Sequence, residues 1–152
     1  LATTQSIGLQ GLDGYLISIQ IDISKGMPSF EIVGLPDTSV KESKERVKTA
    51  IKNSKIDLLS RKIVVNLAPA NTKKQGSNFD LAIATGIIIA LGNIKNKNIT
   101  KFLEETIFIG ELSLDGTIEK VNGILPICIE AKRIGIKNII LSEKNLEEAE
   151  II

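Results

Sequence analysis

The chain of 152 residues contains no histidine and no tryptophan. Without an imidazole there can be no Ser-His-Asp triad, no histidine-ligated zinc and no imidazole general base. Any catalysis would depend on lysine, serine, tyrosine or carboxylate side chains. Aromatic residues make up only 3% of the chain, which leaves little for the base stacking by which many proteins hold single-stranded nucleic acid.

Cysteine is almost absent as well. Cys128 is the only one, so no internal disulfide can form. Such sparse cysteine usage is typical of a reducing compartment, and we expect a cytoplasmic protein. Cys128 lies in the apolar run 124–129, which favours a small buried residue over a reactive thiol.

The chain also lacks a strong net charge and a long apolar segment. Nineteen basic and eighteen acidic residues leave a formal charge of +1, so an anion site would have to be local. The longest apolar run, residues 81–91, is too short to span a bilayer, and no signal peptide is recognisable. We therefore expect no membrane partner. The length fits one domain, and the start without Met and the acidic end suggest a domain excised from a longer protein.

The first third of the sequence contains a segment in which apolar and polar residues alternate. Apolar and polar side chains alternate over residues 15–23, which predicts a strand with one buried and one wet face. A turn is expected at residues 12–15 and a short strand at residues 29–33. Asp37 or Ser39 is expected to cap the helix that follows and ends near Ser54.

The rest of the chain reads as alternating strands and helices. Asp115-Gly116 predicts a hairpin turn, and the polar segment 93–101 predicts a mobile surface connection. The predicted order β-β-β-α-β-α-β-β-α-β-α indicates an α/β (α+β) domain, with a mixed sheet and helices mostly on one face. The remaining predicted strands are residues 6–9, 62–67, 106–114, 117–121 and 138–141, and the later helices are residues 79–91, 123–133 and the C-terminal stretch capped by Ser142 or Asn145.

The segment that joins strand 62–67 to helix 79–91 is the first candidate site. Free N–H groups and the dipole of a helix N-terminus favour an anion, two lysines would add charge, and a glycine would permit close approach. The alternative is a capped helix start with solvated lysines, in which Ser77 or Asn78 accepts from the first-turn N–H groups. No Walker A sequence occurs in the chain. The candidate anion- or partner-binding residues are Lys73, Lys74, Gly76, Ser77 and Asn78.

The second candidate is the acidic pair Glu111 and Asp115. Two carboxylates at this spacing could serve a metal ion or acid–base chemistry. Asp115 is also the turn residue of the predicted hairpin, and this structural interpretation is favoured.

Six segments of the chain together resemble the N-terminal domain of the magnesium-chelatase-like AAA+ ATPases, the ComM/YifB family. They occur in the family's order and are residues 11–14, 30–37, 40–47, 66–70, 79–84 and 110–116. The resemblance implies a Lon-protease-like domain of the ribosomal-protein-type α/β fold over residues 1–152. It also implies an AAA+ module downstream, which would carry ATP and magnesium, so no cofactor is expected in this domain.

The same resemblance implies partners and a function. The partners would be the chain's own AAA+ module, further copies of the protein in a hexamer, and DNA. The family is bacterial and handles DNA recombination intermediates during natural transformation, so this chain is expected to be an accessory or interaction domain. The alternatives are a nucleic-acid-binding module that uses Lys73 and Lys74, and a peptidase of Lon type.

Lon proteases use a Ser–Lys dyad, and the resemblance shows what stands at those two positions here. Asn78 falls at the serine position, with Ser77 one residue away, and Leu125 falls at the lysine position. A carboxamide is not a nucleophile and leucine is not a base. No lysine lies between Gly123 and Ala131. We therefore expect no catalytic residues and no metal ligands in this domain.

Overall fold

The computed structural model describes residues 1–58, 60–92 and 96–150, which fold as a mixed α/β domain as the sequence predicts. The strands are β1 Ala2–Gln10, β2 Asp13–Lys25, β3 Ser29–Val33, β4 Arg61–Ala68, β5 Thr106–Phe108, β6 Glu111–Leu112, β7 Ile118–Glu119 and β8 Asn138–Ile140. The helices are α1 Thr38–Asn53, α2 Asp80–Ala90, α3 Ile99–Glu104, α4 Ile124–Arg133 and α5 Leu146–Ala149, with a 3₁₀ turn at Glu143–Asn145.

The main sheet has four strands in the order β1-β2-β4-β3. The pairs β1/β2 and β2/β4 are antiparallel and β3/β4 is parallel, so the predicted mixed sheet is confirmed. The alternation along β2 is also confirmed, because Ile17, Ile19 and Ile21 are fully buried while Gln20 and Asp22 are exposed. The buried face packs with α1 and α2 in the larger hydrophobic core.

A tight corner leads from β3 into α1. Gly34 has a φ of 107°, and a Cβ atom there would lie 2.2 Å from the Leu67 carbonyl oxygen. Only glycine allows the chain to pass so close to β4. Asp37 then caps α1, because its Oδ1 accepts a 2.8 Å hydrogen bond from the Val40 N–H. Of the two predicted caps, Asp37 is therefore the one used.

Helix α4 belongs to a second, smaller core. Its buried residues Ile124, Ile127 and Cys128 pack with Ile7 of β1 and with Ile107 of β5. Cys128 is 4% exposed, and burial raises the pKa of its thiol, as expected of a structural cysteine. Strand β5 pairs in parallel with β8 beside this core. The small core fixes α4 close to the end of the β1–β2 hairpin.

Several predicted boundaries are wrong. The first strand begins at Ala2 rather than at residue 6, and the strand predicted over residues 117–121 is limited to Ile118–Glu119. The β1–β2 turn falls at Gly11 and Leu12, because Gln10 already pairs with Asp13. The strand predicted over residues 106–114 is divided into β5 and β6, which lie in different sheets. Of the predicted connection 93–101, residues 93–95 lie outside the described residues and residues 96–98 precede α3. Residues 99–101 belong to α3, a helix that the sequence did not predict, and its Leu103 is buried against the larger core.

Within the described ranges, no helix is both long and apolar enough to cross a membrane.

Candidate functional site

The loop between β4 and α2 is held in place by main-chain hydrogen bonds. The Lys74 N–H donates to the Leu35 carbonyl at 2.9 Å, and the Asp37 N–H donates to the Lys74 carbonyl at 2.8 Å. The Tyr15 hydroxyl donates to the Lys73 carbonyl at 3.2 Å. The loop is thus tied to the β3–α1 corner and to β2 at Lys73 and Lys74, and the residues after it extend toward β1.

The two lysines of this loop are in opposite environments. Lys73 is exposed, whereas Lys74 is 0% exposed and its Nζ donates to the Pro69 carbonyl. Burial lowers the pKa of the Lys74 ammonium. The expectation that both lysines are solvated and offer surface charge is therefore wrong for Lys74. The main chain of Lys74 is hydrogen-bonded to the corner at residues 35–37, and its side chain is buried.

Two amide side chains join the loop to the end of β1. Asn78 Nδ2 donates to the Ile7 carbonyl at 2.9 Å, and Gln75 Nε2 donates to the Leu9 carbonyl at 3.4 Å. The prediction that Ser77 or Asn78 caps α2 is wrong, because the helix begins after Phe79 and has no side-chain cap. The Asn78 carboxamide is instead engaged with the neighbouring strand.

The N-terminus of α2 is occupied by groups of the protein itself. The Leu81 N–H donates to the Gly110 carbonyl at 3.1 Å, and the Gly110 N–H donates to the Asn78 carbonyl at 3.1 Å. The first helical residue, Asp80, is fully buried, so its own carboxylate supplies the negative charge that this terminus favours. An added anion would have to compete with that carboxylate.

Asp80 is paired with an arginine that the sequence did not single out. Arg46 Nε lies 2.6 Å from Asp80 Oδ2, and the Leu112 N–H donates to the same oxygen at 3.1 Å. Burial raises the pKa of Asp80, and the bonds from Arg46 and Leu112 offset part of that effect. The only sequence signal for this pair is a charged residue at the start of an otherwise apolar helix.

The two positions that the resemblance assigns to the Lon dyad lie at the starts of α2 and α4. Asn78 precedes α2, and Leu125 lies in the first turn of α4 with 39% of its surface exposed. Ser77 is half-buried, and its carbonyl accepts from the Asp80 N–H at 3.4 Å. The side chains at the dyad positions are therefore a carboxamide that bonds to β1 and a hydrocarbon.

A recess of about 390 Å³ opens between the loop, the end of β1 and the start of α4. Of the predicted site residues, Gly76 and Asn78 line it, and Gly76 has the left-handed φ of 95° that glycine tolerates. Three further polar residues also line it, namely Asp37, which the sequence predicted only as a helix cap, and Gln75 and Asn122, which it did not single out as site residues. This recess is the candidate functional site.

Asp115 of the acidic pair lies in the predicted turn. Asp115 Oδ1 accepts from the Thr117 N–H at 2.9 Å, and this backbone bond is the main cause of its lowered pKa. Gly116 follows with a φ of 95°, so the predicted turn is confirmed. Glu111 is half-buried on β6, near Arg46. Among the described residues, no cluster of three metal-binding side chains of the His, Cys, Asp or Glu type occurs.

These elements define a mixed α/β domain of Lon-like type with a polar recess beside the start of α2. The family model described as "Subunit ChlI of Mg-chelatase" matches residues 19–145. The chain is 38% identical to YifB of Salmonella typhimurium and 34% identical to "Competence protein ComM" of Haemophilus influenzae. Each of these matches covers 100% of this chain and 29% of the relative. The chain therefore belongs to the magnesium-chelatase-like ComM/YifB family.

A more distant similarity reaches the proteases. The chain is 27% identical over 159 residues to a Lon protease of Aster yellows witches'-broom phytoplasma. This match covers 100% of the chain and 19% of the protease. It agrees with the Lon-like fold that the sequence predicts. The chain spans less than a third of each of these relatives, so the properties of a whole protein are matters for proposal.

Proposed function

We propose that this chain is a non-catalytic interaction domain of a magnesium-chelatase-like AAA+ ATPase that acts on DNA during competence and recombination. The proposal rests on the two positions that the resemblance assigns to the Lon dyad. Asn78 is bonded to the Ile7 carbonyl, and Leu125 is a hydrocarbon. Asn78 lines the recess, and neither a carboxamide nor a hydrocarbon side chain can serve as the nucleophile or the base of a dyad.

The role of the parent protein rests on family membership. One relative is named a competence protein, and the chain covers 29% of its length. An ATPase module with ATP and magnesium, assembly into a hexamer and a cytoplasmic location are parts of the same proposal. In it, the domain described here contacts a partner and thereby regulates the motor.

Direct DNA binding through Lys73 and Lys74 has less support than the sequence suggested. Only Lys73 is exposed, because the Lys74 ammonium is buried on the Pro69 carbonyl. Phosphate neutralisation needs basic groups at the surface. One exposed lysine in a loop is a weak basis for such an interface, so the interaction function is preferred.

Deleting residues 1–152 from the parent protein tests the proposal. We expect the truncated motor to keep ATP hydrolysis but to lose efficiency in hexamer assembly, DNA loading or ATP-driven branch migration. Assembly and branch migration would be compared for the two proteins at equal concentration. A truncated motor that matches the intact protein in all of these assays would contradict an interaction role.

A substitution within the domain tests the absence of catalysis separately. We expect Ser77→Ala to leave every activity of the parent protein unchanged, and a fluorophosphonate probe to leave Ser77 unlabelled in the wild type. If the probe labelled Ser77 in the wild type and not in the variant, the hypothesis of a Lon-type peptidase would be supported instead.

A further inference from the structure

Two amide side chains that line the recess beside Asn78 have their donor groups engaged with β1. The donor ends of Asn78 and Gln75 are directed to the carbonyls of Ile7 and Leu9, at 2.9 and 3.4 Å. A carbonyl can only accept, so the shorter bond sets the orientation of the Asn78 amide, and both bonds leave the amide oxygens for other contacts. Within the described ranges, no hydrogen bond ends on Asn78 Oδ1 or Gln75 Oε1.

Gly76 keeps one of these acceptors accessible. A Cβ atom at Gly76 would lie 3.1 Å from Asn78 Oδ1, and both residues line the recess. The absence of a side chain at Gly76 therefore leaves the space beside this oxygen open. The Asn122 carboxamide lines the same recess from the start of α4.

Asp37 adds a negative charge to the same recess. Its Oδ1 accepts from the Val40 N–H at 2.8 Å, which leaves Oδ2 for a further partner. The charge of Asp37 is felt nearby, because it adds to the effect of burial in raising the pKa of Tyr15. Lys74, the adjacent cation of the loop, is buried on Pro69 and is not one of the residues that line the recess.

We propose that this recess binds a cationic group, a protonated amine or a guanidinium, through the Asp37 carboxylate and the amide oxygens of Gln75 and Asn78. A group with several N–H donors and a positive charge complements one carboxylate and two carbonyl oxygens. An anion would meet the same oxygens at close range and be repelled. The basic side chain of a protein partner is one source of such a group, and a free polyamine is another.

This inference deepens the proposed interaction function, since it names the chemistry of the partner group. The test uses small probes on the 152-residue chain. Methylguanidinium and inorganic phosphate are titrated at matched ionic strength, and amide signals are followed by NMR. We expect methylguanidinium to shift the signals of Gly76, Asn78 and Asn122, and phosphate to leave them unmoved. Phosphate binding at these residues, or no response to methylguanidinium, overturns the proposal.

Charge variants sharpen the same titration. Asp37→Asn keeps a good helix cap but removes the charge, so it should weaken methylguanidinium binding by about two- to fivefold. Asn122→Asp adds a carboxylate and should strengthen binding by about the same factor. Asp22→Asn is the matched control, because it makes the same charge change on an exposed position of β2. If Asp37→Asn and Asp22→Asn weakened binding equally, binding would depend only on the net charge of the chain, and the proposed site would be wrong.

Two larger probes distinguish the sources. Spermidine represents a free polyamine, and the peptide acetyl-Gly-Arg-Gly-amide represents a basic side chain. Both should compete with methylguanidinium, and the tighter one identifies the source. Failure of all three cations defeats the recess proposal but leaves the interaction role to be judged by the deletion experiment.

Discussion

Arg46 and Asp80 form an ion pair that joins α1 to the start of α2. The guanidinium meets the carboxylate side by side, with Nε 2.6 Å from Oδ2 and Nη2 3.1 Å from Oδ1. Asp80 is fully buried and the Arg46 side chain is 20% exposed. Because the Leu112 N–H also donates to Asp80, a single carboxylate links two helices and β6. The loop that carries the candidate recess ends at this pair.

Removing the arginine should destabilise the fold. Arg46→Met leaves the Asp80 carboxylate buried without its counter-charge, and we expect the free energy of unfolding to fall by about 3 kcal/mol. Urea denaturation would measure it. Glu42→Gln is the control, because Glu42 is exposed and lies 3.7 Å from Arg46, so its loss should cost no more than about 0.5 kcal/mol. Similar losses for the two variants would contradict a structural role for the buried pair.

The buried Lys74 should make stability depend on alkaline pH. Burial holds its pKa below the ordinary 10.5, so between the lowered value and 10.5 the unfolded chain binds more protons than the native one. Burial of the charged ammonium lowers the free energy of unfolding below the folded pKa. This cost disappears as pH increases to 10.5, so stability rises with pH through this window. Tyr15 acts in the opposite sense above 10.0, because its pKa is raised.

Subtracting the curve of Lys74→Met isolates this contribution. The variant keeps Tyr15, should lack the alkaline rise of Lys74, and should be at least as stable as the wild type at neutral pH. Because Pro69 is an exposed residue, we expect water to replace the ammonium at its carbonyl. Denaturant titrations from pH 7 to 11 would measure both curves. If the two proteins gave parallel curves, Lys74 would have the same pKa in the native and the unfolded chain, which would contradict the prediction.

The Asn78 amide should be needed as a donor. Asn78→Asp replaces Nδ2 with an oxygen that faces the Ile7 carbonyl, which should cost about 1–3 kcal/mol at neutral pH. Part of the loss should be recovered in acid, where the new carboxyl group is protonated and can donate. Asn122→Asp makes the same change at an exposed site with no described bond and should leave stability nearly unchanged. A loss that does not depend on pH would argue against the donor role.

The sequence predicted the parts of the fold that depend on neighbouring residues. The alternation around Ile19, the cap at Asp37 and the turn at Asp115 each involve positions two or three residues apart. The contacts that shape the site join distant residues, since Arg46 and Asp80 are 34 positions apart and Asn78 and Ile7 are 71 apart. The local periodicity of a sequence cannot predict contacts between residues so far apart. For the same reason a lysine pair in a polar loop could not reveal that Lys74 is buried.

Cys128 should react slowly with thiol reagents in the native chain. Cys128 is 4% exposed and burial raises the pKa of its thiol, so little thiolate is present at neutral pH. We expect iodoacetamide to modify Cys128 much more slowly in the folded chain than in urea, as measured by mass spectrometry. Rates that match in the two conditions would place the thiol at the surface.

The contact between α2 and β2 should be sensitive to a single methyl group. A Cβ atom at Gly86 would lie 2.1 Å from Ile21 Cδ1, and Ile21 is fully buried. Alanine gains about 1 kcal/mol of helix propensity over glycine, but the clash should cost about 1–3 kcal/mol, so Gly86→Ala should destabilise the chain. Ile21→Val removes the clashing Cδ1 atom and alone costs about 0.5–1.5 kcal/mol. The double variant should therefore lose less free energy of unfolding than the two single variants lose together, as measured by urea denaturation. Additive losses would mean that the helix moves away from the sheet instead of packing against Ile21.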